Sequence, residues 1–90
     1  MTTRITLDQK LSTEFSTVLE EDIRLIDGSI IVDAKKVRFV GALCAQILFR
    51  DYRRRIMAGY DWTLEPSDQV KADLDLLGMK VLFEGGVERK

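Results

Sequence analysis

The order of apolar and polar positions along the chain predicts strands that alternate with helices. Residues 4–7 (Arg-Ile-Thr-Leu) alternate with a period of two, which is typical of a half-buried strand. Residues 30–32 (Ile-Ile-Val) form a continuous β-branched run, which favours a central strand buried on both faces. Residues 37–40 favour an extended segment, and the alternation at residues 61–64 predicts a further strand.

Apolar residues with helical spacing separate these strands. Such stripes predict helices over residues 15–26, 41–58 and 67–77, followed by a last short element at residues 79–83. Strands that alternate with helices imply right-handed crossovers and a largely parallel sheet. We therefore expect an α/β fold with a small mixed or mostly parallel sheet of about four strands and helices packed mainly on one face.

The length of the chain predicts a single domain. Ninety residues allow one hydrophobic core, which we expect to span residues 1–84. Residues 85–90, a Gly-Gly pair and a charged end, predict a flexible tail. Since the helices should cover one face of the sheet, the other face is expected to be exposed. That face or a sheet edge is a candidate surface for a partner or for a homodimer.

Composition narrows the classes of function. The net charge of −1 gives no bulk attraction to nucleic acid or anionic lipid. There is no histidine and only one cysteine, which removes the usual transition-metal ligand sets and most nucleophilic triads. We therefore expect neither an enzyme nor a cofactor. The chain has no signal-peptide core and no apolar run near the roughly 18 residues of a membrane span, so we expect a cytoplasmic protein without membrane insertion.

Four segments in order resemble the STAS domain, the fold of bacterial anti-sigma factor antagonists and of the cytoplasmic regulatory domains of anion transporters. They are IIVDA at residues 30–34, VRFVGALCAQIL at 37–48, EPS at 65–67 and LGMKVLF at 77–83, and together they cover nearly the whole chain. The usual middle segment of the family is a hydrophobic residue followed by Asp-Ser-Ser-Gly-Leu-Gly, or Asp-Thr-Ala-Gly in some transporter-associated members. Residues 40–46 of this chain read VGALCAQ, so the arrangement is shared but the motif is not.

The resemblance implies a regulatory switch whose hydroxyl this chain lacks. In phosphoregulated members a serine at this junction is phosphorylated by an anti-sigma factor kinase, which adds about two negative charges to the docking surface. Here Ala42 or Leu43 occupies the hydroxyl position and Gly41 replaces the acidic residue. Neither Ala42 nor Leu43 accepts phosphate, so we expect no phosphorylation at this turn.

The resemblance also implies a function and a class of partner. It predicts a divergent, stand-alone bacterial member that acts as a non-catalytic binding module through protein contact at the start of the second helix. The implied partner is an anti-sigma factor or kinase, or a chemotaxis or other signalling component. The alternative is a cytoplasmic subunit that regulates an ABC-type lipid or anion transporter.

A helical wheel at about 100° per residue assigns faces to the second helix. Leu43 and Ile47 fall opposite the side expected to face the sheet, as an apolar patch rimmed by arginines, which is typical of docking surfaces. The alternative is that both residues touch the neighbouring helix. Side chains expected to face the sheet are Ala45, Leu48, Phe49, Tyr52 and Ile56. The predicted partner-binding residues are Gly41, Ala42, Leu43, Gln46, Ile47, Arg50 and Arg54.

Two other functions compete with this hypothesis. Asp33 ends a predicted strand and, with Asp8, would serve a small-molecule or enzymatic site at the carboxyl edge of the sheet. Without a phosphate-binding loop, a structural role for Asp33 is favoured. Arg50, Arg53 and Arg54 share an outer helix face and would serve nucleic-acid binding. A solvated face is the default for such a cluster, and an acidic protein partner is the favoured functional interpretation.

Two single residues complete the candidates. Cys44 lies on an apolar flank of the second helix, which predicts a buried and unreactive thiol. Trp62 lies in a short strand, where core packing is favoured over an interface. Neither residue is expected to carry chemistry.

Overall fold

Strands and helices alternate along the chain as the apolar pattern predicts. The computed structural model describes residues 2–84, and the predicted tail at residues 85–90 lies outside that range. The α/β fold class is confirmed. A single turn of 3-10 helix at Thr13–Phe15 precedes the first α-helix. The elements are β1 (Thr2–Thr6), α1 (Ser16–Arg24), β2 (Ser29–Ala34), α2 (Ala42–Met57), β3 (Trp62–Pro66), α3 (Asp68–Leu76) and α4 (Val81–Glu84).

The sheet is parallel and has three strands in the order β1-β2-β3. Within the described range the structure therefore has fewer than the roughly four strands expected. Residues 37–40 form no strand and contribute one isolated bridge, between Val40 and Leu11. The element predicted at residues 79–83 is the short helix α4.

Burial alternates along the central strand. Ile30, Val32 and Ala34 are almost fully buried, whereas Ile31 and Asp33 are partly exposed. The prediction that residues 30–32 are buried on both faces is therefore wrong. The physical reason is that the helices place their buried side chains in one core with Ile30 and Val32, which leaves the other face of the sheet without a covering layer.

Apolar side chains from every helix reach that core. Leu19 of α1, Leu48 of α2, Leu74 of α3 and Leu82 of α4 are each at most 2% exposed. Burial of one such side chain stabilises a fold by about 1.5–3 kcal/mol. No helix within residues 2–84 is long and apolar enough to cross a membrane.

A charged cluster occupies the open face and joins all three strands. Arg4 of β1 donates two hydrogen bonds to Glu65 of β3, at 2.6 and 3.0 Å, and one to Asp33 of β2, at 3.3 Å. The ammonium group of Lys35 lies 3.7 Å from the same Glu65 carboxylate. The hydrogen bond from Arg4 lowers the pKa of the Glu65 carboxyl below its ordinary value.

This lowered pKa predicts an acid-dependent loss of stability. Below the ordinary glutamate pKa of 4.5 the unfolded chain takes up a proton that folded Glu65 does not. The stabilisation is therefore complete above that value and disappears as the pH falls through the lower pKa of the folded state. We expect Glu65→Gln to reduce the loss of unfolding free energy between neutral pH and pH near 3, measured by urea denaturation.

Glu21→Gln is the matched control for this change. Glu21 is exposed on α1, and its carboxylate forms no ion pair with any residue between 2 and 84. Its variant should follow the pH dependence of the parent chain. If Glu65→Gln loses as much unfolding free energy on acidification as the parent chain, Arg4 does not hold this carboxylate in solution.

Candidate functional site

The turn that leads into α2 is held from two sides. The Gly41 N–H donates to the Leu11 carbonyl at 2.8 Å, and the Leu11 N–H donates to the Phe39 carbonyl at 2.9 Å. On the other side, the Val40 N–H donates to the Asp73 carboxylate of α3 at 3.0 Å. These bonds satisfy the backbone of the turn and fix the position at which α2 begins.

Helix α3 also holds the segment between β2 and α2. The Ser67 hydroxyl accepts a hydrogen bond from the Val70 N–H at 3.1 Å, which caps α3. The same hydroxyl donates to the Val37 carbonyl at 2.6 Å. Ser67 is therefore the N-cap of α3, and its hydroxyl ties α3 to the start of the segment that contains the candidate site.

Gly41 permits a close approach. Its backbone has φ −83° and ψ 167°, an extended conformation that any residue adopts. A Cβ atom built at this position would lie 3.3 Å from Cε2 of Phe39 and 3.4 Å from the carbonyl oxygen of Leu11. The absence of a side chain therefore allows the Phe39 ring to lie against the turn. Gly41 is the N-cap of α2 and supplies no side-chain hydrogen bond to it.

The structure exposes most of the predicted partner-binding residues. Leu43 is 39% exposed, and the neighbouring Phe39 is 43% exposed. Gly41 is half-buried. The remaining exposed members of the predicted set are Ala42, Gln46, Arg50 and Arg54.

Ile47 departs from the prediction. It is only 5% exposed and belongs to the core, so it does not lie in an exposed patch. A groove between the two helices is lined by Ile47 together with Ile23 of α1, so the alternative of contact with the neighbouring helix is the correct one. The prediction assumes that α2 packs only against the sheet, whereas α1 also covers this flank of α2.

For the same reason, the buried face of α2 is rotated relative to the predicted one. Phe49, Tyr52 and Ile56 were expected to face the sheet, but they are half-buried at the margin of the core. The Tyr52 ring meets the Trp62 ring edge-on at 5.6 Å between centroids. Because α2 packs against both α1 and the sheet, its buried arc is displaced toward α1. The almost fully buried residues of α2 are Cys44, Ala45, Ile47, Leu48, Asp51 and Arg55.

Asp51 is the centre of a buried polar network. Its side chain is 3% exposed. One carboxylate oxygen, Oδ2, accepts from Nε of Arg55 at 2.8 Å and from the indole Nε1 of Trp62 at 2.9 Å. The other, Oδ1, accepts from the exposed Arg54 at 2.6 Å. The carboxylate thus joins α2 to β3.

Arg55 extends this network to α1. Its guanidinium group donates to the Ile23 carbonyl at 2.7 Å and to the Gly28 carbonyl at 2.6 Å. Arg55 follows the exposed Arg53 and Arg54 in the sequence, but its side chain is only 3% exposed. The signal that was missed is Asp51 followed by Arg55 four residues later, on the same helix face as the core residue Leu48.

Loss of the Asp51 charge should strongly destabilise the fold. Asp51→Asn leaves the buried guanidinium of Arg55 without its counter-charge, and removal of one partner from a buried pair costs about 3–5 kcal/mol. We expect a decrease of that size in the free energy of unfolding, measured by urea denaturation. Arg54→Met is the control, since the Arg54 side chain is 58% exposed and its removal leaves the buried pair of Asp51 and Arg55 intact, so we expect a smaller cost. Equal costs for the two variants would contradict the central role of the buried pair.

The two carboxylates of the competing hypothesis do not form a joint site. Asp33 accepts a hydrogen bond from the Lys35 N–H at 3.1 Å and pairs with Arg4, which is a structural use. Asp8 is exposed, and its carboxylate lies 3.4 Å from the amide of Gln9. An open cavity of 540 Å³ lies beside the loop after β2, but neither carboxylate lines it. No group of three metal-ligating side chains occurs within residues 2–84.

Cys44 and Trp62 lie where the sequence predicts. Cys44 is completely buried, and its thiol lies 3.3 Å from the Ser12 carbonyl as a weak donor. Burial raises the pKa of this thiol, which disfavours the reactive thiolate. Trp62 is 6% exposed and packs in the core with its indole nitrogen bonded to Asp51.

The three exposed arginines of α2 have different surroundings. Arg54 pairs with Asp51, and the Arg53 guanidinium lies 6.0 Å from the centroid of the Phe49 ring. The Arg50 side chain forms no hydrogen bond or ion pair with any other residue in the described part of the chain. Its charge is therefore directed to solvent or to a ligand.

Comparison of the chain with family models, curated proteins and solved structures finds no match. The fold and the site therefore define a structural class, which is a small α/β domain with a three-stranded parallel sheet. Phe39 and Leu43 are exposed on either side of the fixed turn at which α2 begins.

Proposed function

We propose that this protein is a non-catalytic regulatory module that binds another protein through the start of α2. The observation that carries the proposal is the exposure of Leu43 and Phe39 on a turn whose backbone is held by Leu11 and Asp73. Contiguous exposed apolar side chains are typical of interaction sites, and Phe39 and Leu43, which flank the fixed turn four residues apart, would form such a patch. A fixed turn also loses little conformational freedom on binding, which favours affinity.

The composition of the surface supports a protein partner. Exposed apolar side chains at Phe39 and Leu43 would form the centre of an interface, and Gln46 and Arg50 would form its polar edge. Arginine and aromatic residues are enriched in such interfaces.

The proposal includes the STAS type of module. It is supported by the resemblance of the four sequence segments and by a parallel sheet with helices on one face. On this proposal the partner is an anti-sigma factor or kinase, or a chemotaxis or signalling component, in the cytoplasm. Ala42 and Leu43 have no hydroxyl group, so phosphate at this turn does not control binding.

Leu43→Asp should abolish partner binding and leave the fold intact. A carboxylate at the centre of an apolar interface is desolvated without a counter-charge, which opposes association. The measurement is affinity capture from the source cells with the parent chain and the variant, followed by identification of the bound proteins. Circular dichroism and urea denaturation establish that the variant is folded.

Leu76→Asp is the matched control. Leu76 is 86% exposed on α3, so the same substitution there adds the same charge on another surface. We expect one protein to be captured by the parent chain and by Leu76→Asp, but not by Leu43→Asp. Capture that is equal in all three chains would refute the proposed site, and unfolding of Leu43→Asp would assign Leu43 to the core. A captured transporter subunit would favour the alternative of transporter regulation.

A further inference from the structure

A groove of 320 Å³ lies between α1 and α2. Ile23 and Ile47, which are 3% and 5% exposed, close its floor. Arginine side chains from both helices, Arg24, Arg50 and Arg54, line its exposed part. Its volume is at the lower end of ligand-sized clefts, which are about 300–1,000 Å³.

Two of these arginines can pair with an acidic ligand. Arg50 has no ion-pair partner among residues 2–84. Arg24 lies 3.5 Å from Glu20 in a pair whose side chains are 68% and 42% exposed. An exposed pair of this kind contributes about 0–1 kcal/mol, so a ligand carboxylate can replace Glu20.

The third arginine belongs to a cluster with excess positive charge. Arg54 contacts Asp51 at 2.6 Å, but the same carboxylate also balances the buried Arg55 at 2.8 Å. Two guanidinium groups therefore share one carboxylate, and the cluster retains one positive charge. Together with Arg50 this makes the groove a locally basic site on a chain whose net charge is −1.

The groove continues the surface that begins at Leu43. Seven residues of helix turn through about 700°, which places Arg50 almost directly below Leu43 on the same side of α2. Eleven residues bring Arg54 to the same side again. A partner that lies along α2 from Leu43 therefore reaches Arg50 and Arg54 in turn.

We propose that this groove binds an acidic segment of the protein partner, with Asp or Glu carboxylates on Arg50 and Arg54. The guanidinium group matches a carboxylate with two parallel hydrogen bonds, and such charge-assisted bonds are about twice as strong as neutral ones. This inference rests on the proposed function, because it assigns a chemistry to the partner that contacts Leu43.

The lining of the groove favours a protein segment over a nucleic acid. Glu20 and Asp51 lie between the arginines, so the groove offers separate positions for single carboxylates and no continuous basic track for a phosphate backbone. The lining includes no aromatic side chain on which a base could stack. Binding of an oligonucleotide is therefore the outcome against which the proposal is tested.

The probe is a library of random peptides displayed on phage and selected on the immobilised full chain at low ionic strength. We expect enrichment of peptides rich in Asp and Glu. Affinities of individual synthetic peptides, measured by fluorescence anisotropy, should fall by at least about tenfold for Arg50→Glu, because charge reversal replaces attraction with repulsion. Arg53→Glu is the matched control: it makes the same change on the same helix outside the groove, and should retain affinity within about twofold.

The outcomes separate the two proposals. Selection of neutral or basic peptides, or equal losses in Arg50→Glu and Arg53→Glu, would overturn the groove assignment even where Leu43-dependent capture of a partner stands. Binding of oligothymidylate that is tighter than that of the peptides and lost in Arg50→Glu would assign the groove to nucleic acid instead. Acidic peptides that need Arg50, in the absence of Leu43-dependent capture, would support the groove and refute the proposed function.

Discussion

The arrangement of the helices depends on one buried carboxylate. Asp51 accepts hydrogen bonds from Arg54, Arg55 and Trp62, and Arg55 in turn binds the carbonyl of Ile23. A single side chain of α2 thereby sets the distance from α2 to β3 and, through Arg55, to the end of α1. Such a network tolerates only one relative placement of these elements, since any other leaves a charge in the interior without a partner.

The order of the elements could be predicted from the sequence because apolar periodicity reports local structure. Which residues of β2 face the core could not be predicted in the same way. Ile30, Ile31 and Val32 are equally apolar, but only the helices decide which of the two faces becomes the interior. Ile31 lies on the face of Arg4 and Thr63, its neighbours on the two flanking strands, and remains half-buried.

The candidate site shows the same limit. Leu43 is exposed as the wheel predicts, whereas Ile47, one turn later, is buried against α1. A wheel relates a residue to its own helix and gives no position for a second helix beside it. Charge is an equally incomplete guide to burial. The charges of Asp51 and Arg55 predict exposed side chains, but both are buried, and their burial depends on Trp62 and on backbone carbonyls distant in sequence.

The charged cluster on the open face of the sheet has a consequence for the architecture of any assembly. Arg4, Asp33 and Glu65 satisfy one another while they stay in contact with water. A second helical layer, or another copy of the chain laid flat on this face, would have to remove water from all three charged groups, which opposes such packing. This face of the sheet therefore favours hydration over packing. The fold can therefore remain two-layered, with one face of its parallel sheet uncovered, and that face does not associate unspecifically with other proteins.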